Sequence, residues 1–302
     1  MQPKHWFVFI LLGAIWSSSF LWIKIAVQEV SPITLVAFRV LFGLLFSIIV
    51  ITIQRTQIPR DFKSWLPFLI LGISNVAIPF FLISWGEQAI DSGIAAILDS
   101  TVPLFTIVIA HYLLHDDKMT WPKVSGLLMG FAGVVVLMSK DIGSTIGPLL
   151  GQLAVVVASM FYAGSSVYAR KSTQEASGLI RGAGPLVSST AVMWIAAFTV
   201  EQPFKVPQLP ITWIALLWLG ILGSGFAFIL NYYLIHEIGP TRTSMVTYIF
   251  PLGGVILGMI FLHEQITWQV LAGATLIVAS LAVANIQPRK TTAEVSSSTM
   301  EA

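Results

Sequence analysis

The residues with chemistry to offer are the few charged and polar side chains set inside long apolar runs, where each needs a physical reason to be. Asp99 lies four residues before Pro103. The proline ring has no N–H for the Asp99 carbonyl and clashes with it. The freed carbonyl and the carboxylate would then lie together deep in an apolar segment. That is a place for a proton or an amine, or else for a structural acid that is protonated or paired with a lysine or arginine. Thr247 stands at the same interval before Pro251, so Asp99 and Thr247 are expected to face each other. Arg39 lies well inside the second apolar run. It reads either as the counter-ion of a carboxylate ligand or as a guanidinium satisfying backbone carbonyls or a neighbouring acid. Lys24, near the end of the first run, either touches a ligand or snorkels to an interface. Glu87 and Asp91 fall at a turn and read as solvated or helix-capping acids.

Uncharged polar and aromatic residues supply candidate cavity walls: Trp16, Ser17, Ser19, Asn75 and Trp85 in one group, and Tyr162, Ser165, Tyr168, Asn231, Tyr232 and Tyr248 in the other. Trp85 and Tyr168 sit near run ends, where aromatic side chains more often anchor an interface. Asn75, Asn231 and Tyr248 lie deeper. His111 is either a proton relay or a structural hydrogen bonder. No catalytic constellation accompanies them: there is no His-Glu-x-x-His motif, phosphate loop or Gly-x-Ser-x-Gly elbow. The chain has no cysteine, which excludes disulfides, thiol catalysis and cysteine-ligated metal. No metal or cofactor is expected, and an enzyme is not. A net charge of +2, scattered along the chain, carries no nucleic-acid footprint.

These residues are positioned by apolar elements. Of 302 residues, 56% are hydrophobic and 10% charged, against about a quarter charged in a soluble domain. Crossing a bilayer takes about 20 apolar residues of helix. That ruler gives ten spans: Trp6–Val27, Ile33–Ile53, Trp65–Trp85, Ile94–Leu114, Val124–Ser139, Leu149–Tyr168, Leu179–Val200, Trp213–Ile235, Ser244–Leu262 and Val270–Ile286. The first is longer than a signal-peptide core and has no convincing cleavage site. Ser31-Pro32, Thr120-Trp121-Pro122 and Thr267 before Trp268 read as helix starts, each offering a hydroxyl to orphan backbone N–H groups. Short connectors make neighbouring helices antiparallel. Residues 289–302 are polar and read as a disordered cytoplasmic tail.

Basic residues set the orientation. With a cytoplasmic N-terminus, the inner side receives Lys4, Arg55, Arg60, Lys63, Lys118, Lys123, Arg170, Lys171, Arg181, Arg242, Arg289 and Lys290, 12 of the 16 Lys and Arg. The outer loops receive Lys140 and Lys205. Both termini are then cytoplasmic; the membrane is expected to be a bacterial inner membrane, a reading the charges alone do not supply.

The two halves repeat each other. Pro103 matches Pro251 at an offset of 148, and Thr120-Trp121 and Gly126 match Thr267-Trp268 and Gly273 at 147. Asp117 and Glu264 each precede their Thr-Trp pair by three positions. The units are residues 1–145 and 146–288. Five spans per half insert the second half upside down, and inverted repeats suit a carrier, which must expose one central site to each side in turn. The glycine pairs Gly126/Gly130, Gly147/Gly151 and Gly254/Gly258 put small residues on single helix faces, for close packing within a monomer or in a weak homodimer.

Two signatures resemble the EamA branch of the drug/metabolite transporter superfamily. One is Gly13-Ala14-Ile15-Trp16-Ser17-Ser18-Ser19-Phe20, followed by Lys24, Pro32 and Arg39. The other is Asp91-Ser92-Gly93-Ile94-Ala95-Ala96-Ile97-Leu98, continuing to Pro103-Leu104-Phe105-Thr106. The run from Gly126 to Gly133 is also similar, and the likeness covers the chain except its tail. Asp99 departs from the Asn or small residue more often found there, and His115 and His263 from a glycine before the acidic residue. The resemblance implies an all-α membrane protein that exports amino acids or other small metabolites through a cavity between its halves. Proton coupling at Asp99 is one of the readings that the residue allows. The scarcity of buried basic clusters argues against phosphate-bearing metabolites and nucleotide sugars, which stand as the alternative substrates. A channel and a membrane-embedded enzyme are the rival classes.

Overall fold

The computed structural model describes residues 2–59, 61–113, 119–141, 146–201, 204–238, 243 and 245–284. The tail, Arg60, His115, Asp117, Lys118 and Arg242 lie outside the described residues. Among those described, nine helices are long and apolar enough to cross a membrane. They are α1 (Pro3–Ala26), α2 (Pro32–Ile53), α3 (Phe62–Gly86), α4 (Ser92–Leu113), α5 (Trp121–Met138), α6 (Ile146–Ser172), α7 (Gly178–Val200), α8 (Pro210–Ile235) and α9 (Met245–Leu262). A tenth apolar helix, α10 (Trp268–Ala284), is shorter.

Local chemistry explains where several helices begin. Ser31 precedes Pro32 and accepts from the Thr34 N–H at 3.2 Å. Asp61 accepts from the Ser64 N–H at 2.9 Å at the start of α3, and Ser177 caps α7 through the Ile180 N–H. Thr120 stands at the N-cap of α5 without a side-chain bond, and Thr267 Oγ1 is buried without a hydrogen-bond partner, so neither hydroxyl makes the cap its position suggests. Two starts are capped from afar instead. Glu264 accepts from the N–H groups of Ser92 (2.7 Å) and Gly93 (3.1 Å) at α4. Glu29 accepts from Leu209 N–H at 2.9 Å and from Gln208 N–H, just ahead of α8. A carboxylate there meets both the orphan donors and the positive end of the helix dipole.

The helices are interrupted at corresponding places. In α4 the Ser92–Asp99 segment stops, Ser100 and Thr101 turn, and a second segment runs Val102–Leu113. In α9 a 3₁₀ turn over Met245–Tyr248 precedes the α-helix Ile249–Leu262. Pro103 and Pro251 each sit in the first turn after the irregular segment, where no N–H is needed. Ahead of Pro251 the interruption is therefore a change of helix type rather than a break. Both α3 and α8 widen into π-helix, over Gly72–Ala77 and Trp218–Phe226.

The principal pairings are α5 with α10, α2 with α7, α4 with α9, α1 with α8 and α9, α6 with α3 and α4, α2 with α8, and α7 with α3. Replacing each helix by the one five places away leaves this set unchanged. Small residues allow the close crossings. A Cβ on Gly126 would lie 2.6 Å from the Ser280 carbonyl oxygen, and one on Gly151 would lie 2.8 Å from that of Gly86. Gly254 meets Ala96 in the same way, whereas Gly147 has nothing within 4 Å. Bonds between distant turns gather at one end of the bundle. They join Glu29 to 208–209, Ser31 and Thr34 to Glu201, Asp91 to Lys140, and Glu264 to 92–93. At the other end His5 meets Glu237 at 3.1 Å.

Candidate functional site

Arg39 is buried in α2, 5% exposed, where α2 crosses the π segment of α8. Its Nε donates to Ser224 Oγ at 3.1 Å, and its guanidinium stacks 3.7 Å above the Phe80 ring of α3. Such a stack partly replaces lost hydration. No described carboxylate lies within ion-pair distance of it, and its two terminal nitrogens make no hydrogen bond to a described residue. Ser224 lies in the π segment of α8, where the backbone ladder shifts from i→i−4 to i→i−5. Trp16 Nε1 donates to the Gly223 carbonyl of the same segment at 3.1 Å. Ser19 lies beside the same glycine, 3.3 Å from where its Cβ would stand, with an Arg39 terminal nitrogen at 3.9 Å. Trp16, Ser19 and Arg39 thus converge on one turn of α8.

Asp99 ends the first segment of α4 and is buried, with Oδ1 lacking a hydrogen-bond partner. Its carboxylate faces protein rather than lipid, and it is closed off rather than open to water, because α4 packs against α6 and α9 around the break. The residue that comes near it across the halves is Ser159 of α6, whose hydroxyl donates to the Leu98 carbonyl of α4 at 3.3 Å and to the Val155 carbonyl at 3.1 Å; Thr247 lies half-buried in the 3₁₀ turn of α9. Arg39, Asp99, Tyr162 and Glu87 all lie within electrostatic range of the guanidinium or of one another.

Glu87 is the residue that sequence reasoning misplaced. Read as solvated or capping, it is 0% exposed, and neither carboxylate oxygen has a hydrogen-bond partner. Lys24 closes over it, donating to the carbonyls of Glu87 (2.6 Å) and Ile90 (2.8 Å). The amine thus neither snorkels nor stands free. Asp91 behaves as expected of a turn acid and pairs with Lys140 at 3.0 Å.

The remaining candidates divide. Ser17 bonds the Ala14 carbonyl at 3.2 Å and packs against Gly253 of α9. Tyr248 donates to the Leu281 carbonyl of α10 at 3.0 Å, a packing role. Ser165 bonds Ser74 at 2.9 Å beside a groove of about 330 Å³ lined by Ile70, Met160, Phe161 and Tyr168, away from Arg39. Asn75 lies half-buried on the π segment of α3, and Asn231 half-buried in α8. Of Tyr232 only the backbone, within α8, is described. His111 accepts from the Met119 N–H at 3.1 Å, which favours a structural part over a relay. Sequence reasoning passed over Ser224, Phe80 and Ser159. The signal that marks Ser224 is Leu219-Gly220-Ile221, which repeats Leu71-Gly72-Ile73 at the offset of the two prolines.

The profile of the EamA-like transporter family matches residues 4–139 and again 149–286. The chain belongs to the EamA-like transporter family. It is a multi-pass membrane protein and a transporter. Among its relatives is the uncharacterized transporter YoaV of Bacillus subtilis, 26% identical over 275 residues, which span 88% of this chain and 91% of YoaV. The uncharacterized inner membrane transporter YedA of Escherichia coli is 27% identical over 251 residues, 82% of this chain and 79% of YedA. A solved crystal structure superposes with a TM-score of 0.70 over 96% of this chain and 100% of its own, at 20% identity, which speaks for the fold. The double match agrees with the exchange-invariant pairing of the transporter's helices. Its position after Leu262 also explains one departure: His263 has φ 57°, the left-handed conformation that a glycine adopts freely.

Proposed function

We propose that the protein exports small zwitterionic metabolites, amino acids first among them, by alternating access between two inverted five-helix halves. The observation that carries this reading is one pair of buried opposite charges left apart. Arg39 and Asp99 lie within each other's electrostatic range, yet among the described residues no carboxylate stands within ion-pair distance of Arg39 and Asp99 Oδ1 has no partner. A buried charge without a direct partner is expensive. A ligand that presents a carboxylate to the guanidinium and an ammonium to the aspartate neutralises both.

The halves supply the motion. Trp16 and Ser19 come from the first half and Ser224 and Ser159 from the second, so a rocking of one against the other opens or closes the space around Arg39. Irregular segments at matched places in α3, α8, α4 and α9 support this, since broken helices at corresponding positions point to a carrier's site. The basic-residue count supports cytoplasmic termini, and the relative YedA, named an inner membrane transporter, supports the inner membrane. Phosphate-bearing substrates fit less well, because Lys24 turns two of its three donors to carbonyls and Arg39 is the deepest cation among the described residues.

The experiment is counterflow in proteoliposomes with labelled amino acids, tested beside sugar phosphates. Accumulation of an amino acid, absent from empty vesicles, is expected. Counterflow of sugar phosphates alone would move the reading to the alternative substrates. Chemical conversion of a metabolite would favour an enzyme, and ohmic single-channel currents a channel.

A further inference from the structure

We propose that Glu87 is a proton-binding site that links protonation to the opening of the bundle end where Lys24 lies. The carboxyl is wholly buried and both oxygens lack a hydrogen-bond partner. Ser84 Oγ, one turn earlier on α3, is also buried and unpartnered. An ionised carboxylate deprived of water and of donors carries a steep desolvation penalty, and the neutral acid carries much less. Lys24 offsets part of it through space, but its amine turns two of its three donors to the Glu87 and Ile90 carbonyls and makes no hydrogen bond to the carboxylate. The charged groups around Glu87 are Lys24 of α1, Arg39 of α2, Asp99 of α4 and Glu264 of the turn after α9. From α6 the groups meeting the helix end at Gly86 are the uncharged Gly151 and Val155. The Glu264 carboxylate is committed to the Ser92 and Gly93 N–H groups.

Lys24 also lines a polar cavity of about 370 Å³ with Gln28, Asp91, His263, Glu264 and Gln265. Glu87 therefore stands between a polar vestibule and the Arg39–Asp99 pair. With the lysine clasp in place it is held as the neutral acid. When the clasp parts, water enters from the vestibule and the Oε–H bond breaks heterolytically. The proton passes to water and the carboxylate stays. Closure takes a proton back. By reciprocity, a lower pH in the vestibule favours the closed end. The protonation does not need Arg39 and Asp99 to be the substrate site; its bearing on transport rests on that reading.

The test reads protonation and opening without any substrate. Infrared difference spectra of the full chain, purified in lipid nanodiscs, are taken between acidic and alkaline pH. A carboxylic acid C=O band is expected that Glu87→Gln abolishes and Asp99→Asn retains. If Glu87→Gln does not fold, Glu87→Asp is expected to shift that band. Because the chain has no cysteine, the pair Gln28→Cys and Gln265→Cys carries spin labels across the vestibule. Their separation is expected to lengthen at alkaline pH and to become insensitive to pH once Glu87→Gln is added. A Glu87→Gln spectrum that keeps every titrating band, or an unchanged response of the labels, overturns the proposal. Failed amino-acid counterflow with these signals intact would count against the substrate reading alone.

Discussion

At the scale of single residues, the account stands on Arg39 and Asp99. A hydrogen bond to a charged group contributes about 1.5–3 kcal/mol, roughly a 10- to 100-fold change in binding. Arg39→Lys keeps the charge but loses the planar fork and weakens the stack on Phe80. It is expected to lower proteoliposome transport by about tenfold or more. Asp99→Asn should lower transport similarly. Membrane insertion and melting temperature, measured on the same preparations, should stay near wild type. Unchanged transport in Asp99→Asn would remove that residue from the mechanism. Asp99 was legible in the sequence because a proline four residues on announces a helix break. Glu87 was not, because a glutamate at the end of an apolar run reads as solvent-facing. Its burial comes from Lys24 folding across two carbonyls and from the Gly86–Gly151 crossing, contacts between residues far apart in the chain.

At the scale of elements, the π segments of α3 and α8 and the crossings they permit set the geometry. Gly220 lies under α2, and a Cβ there would stand 2.5 Å from Phe42 Cβ and 2.8 Å from the Arg39 carbonyl oxygen. Backbone cannot yield as a flexible side chain can, so Gly220→Ala should destabilise the protein by about 1–3 kcal/mol, seen as a lower melting temperature in detergent. Helix capping makes a separate prediction. The Glu29 carboxyl is held below its usual range chiefly by the Thr212 hydroxyl, against some desolvation, and further by the Gln208 and Leu209 N–H groups. A depressed folded-state value adds stability above the unfolded value of 4.5, and that stability is lost as pH falls through the folded value. Acidification below pH 4.5 should thus lower the melting temperature less in Glu29→Gln than in the wild-type protein. An equal fall in both would show that the cap does not contribute. The helices themselves were readable from apolar length. The π geometry and the long-range caps were not, since both arise where two distant segments meet.

At the scale of the whole molecule, the claim is a two-fold carrier with a fixed orientation. Reporter fusions after Lys63, Lys123, Arg170 and Arg242 should read cytoplasmic, and those at Asp91, Asp141 and Lys205 external. Two consecutive fusions on one side would break the ten-span scheme. The repeat was legible because prolines, glycines and Thr-Trp pairs recur at nearly one offset, and the family profile matches residues 4–139 and again 149–286. The candidate site was legible only in part. Spacing identifies deep polar residues but not which of them converge, so Tyr248 and Ser165 read as cavity walls although their hydroxyls serve helix packing. The central claim is that one ligand carries both charges that Arg39 and Asp99 lack. The most direct measurement is competition in counterflow, with a transported amino acid challenged by its decarboxylated amine and its deaminated acid. The account expects each single-charge analogue to compete at least tenfold more weakly than the parent, a loss of about 1.4 kcal/mol or more for either missing contact. It also expects Arg39→Lys to narrow the gap between the parent and the amine. An analogue with one charge removed that competes as well as the parent, in the wild-type transporter, would contradict it.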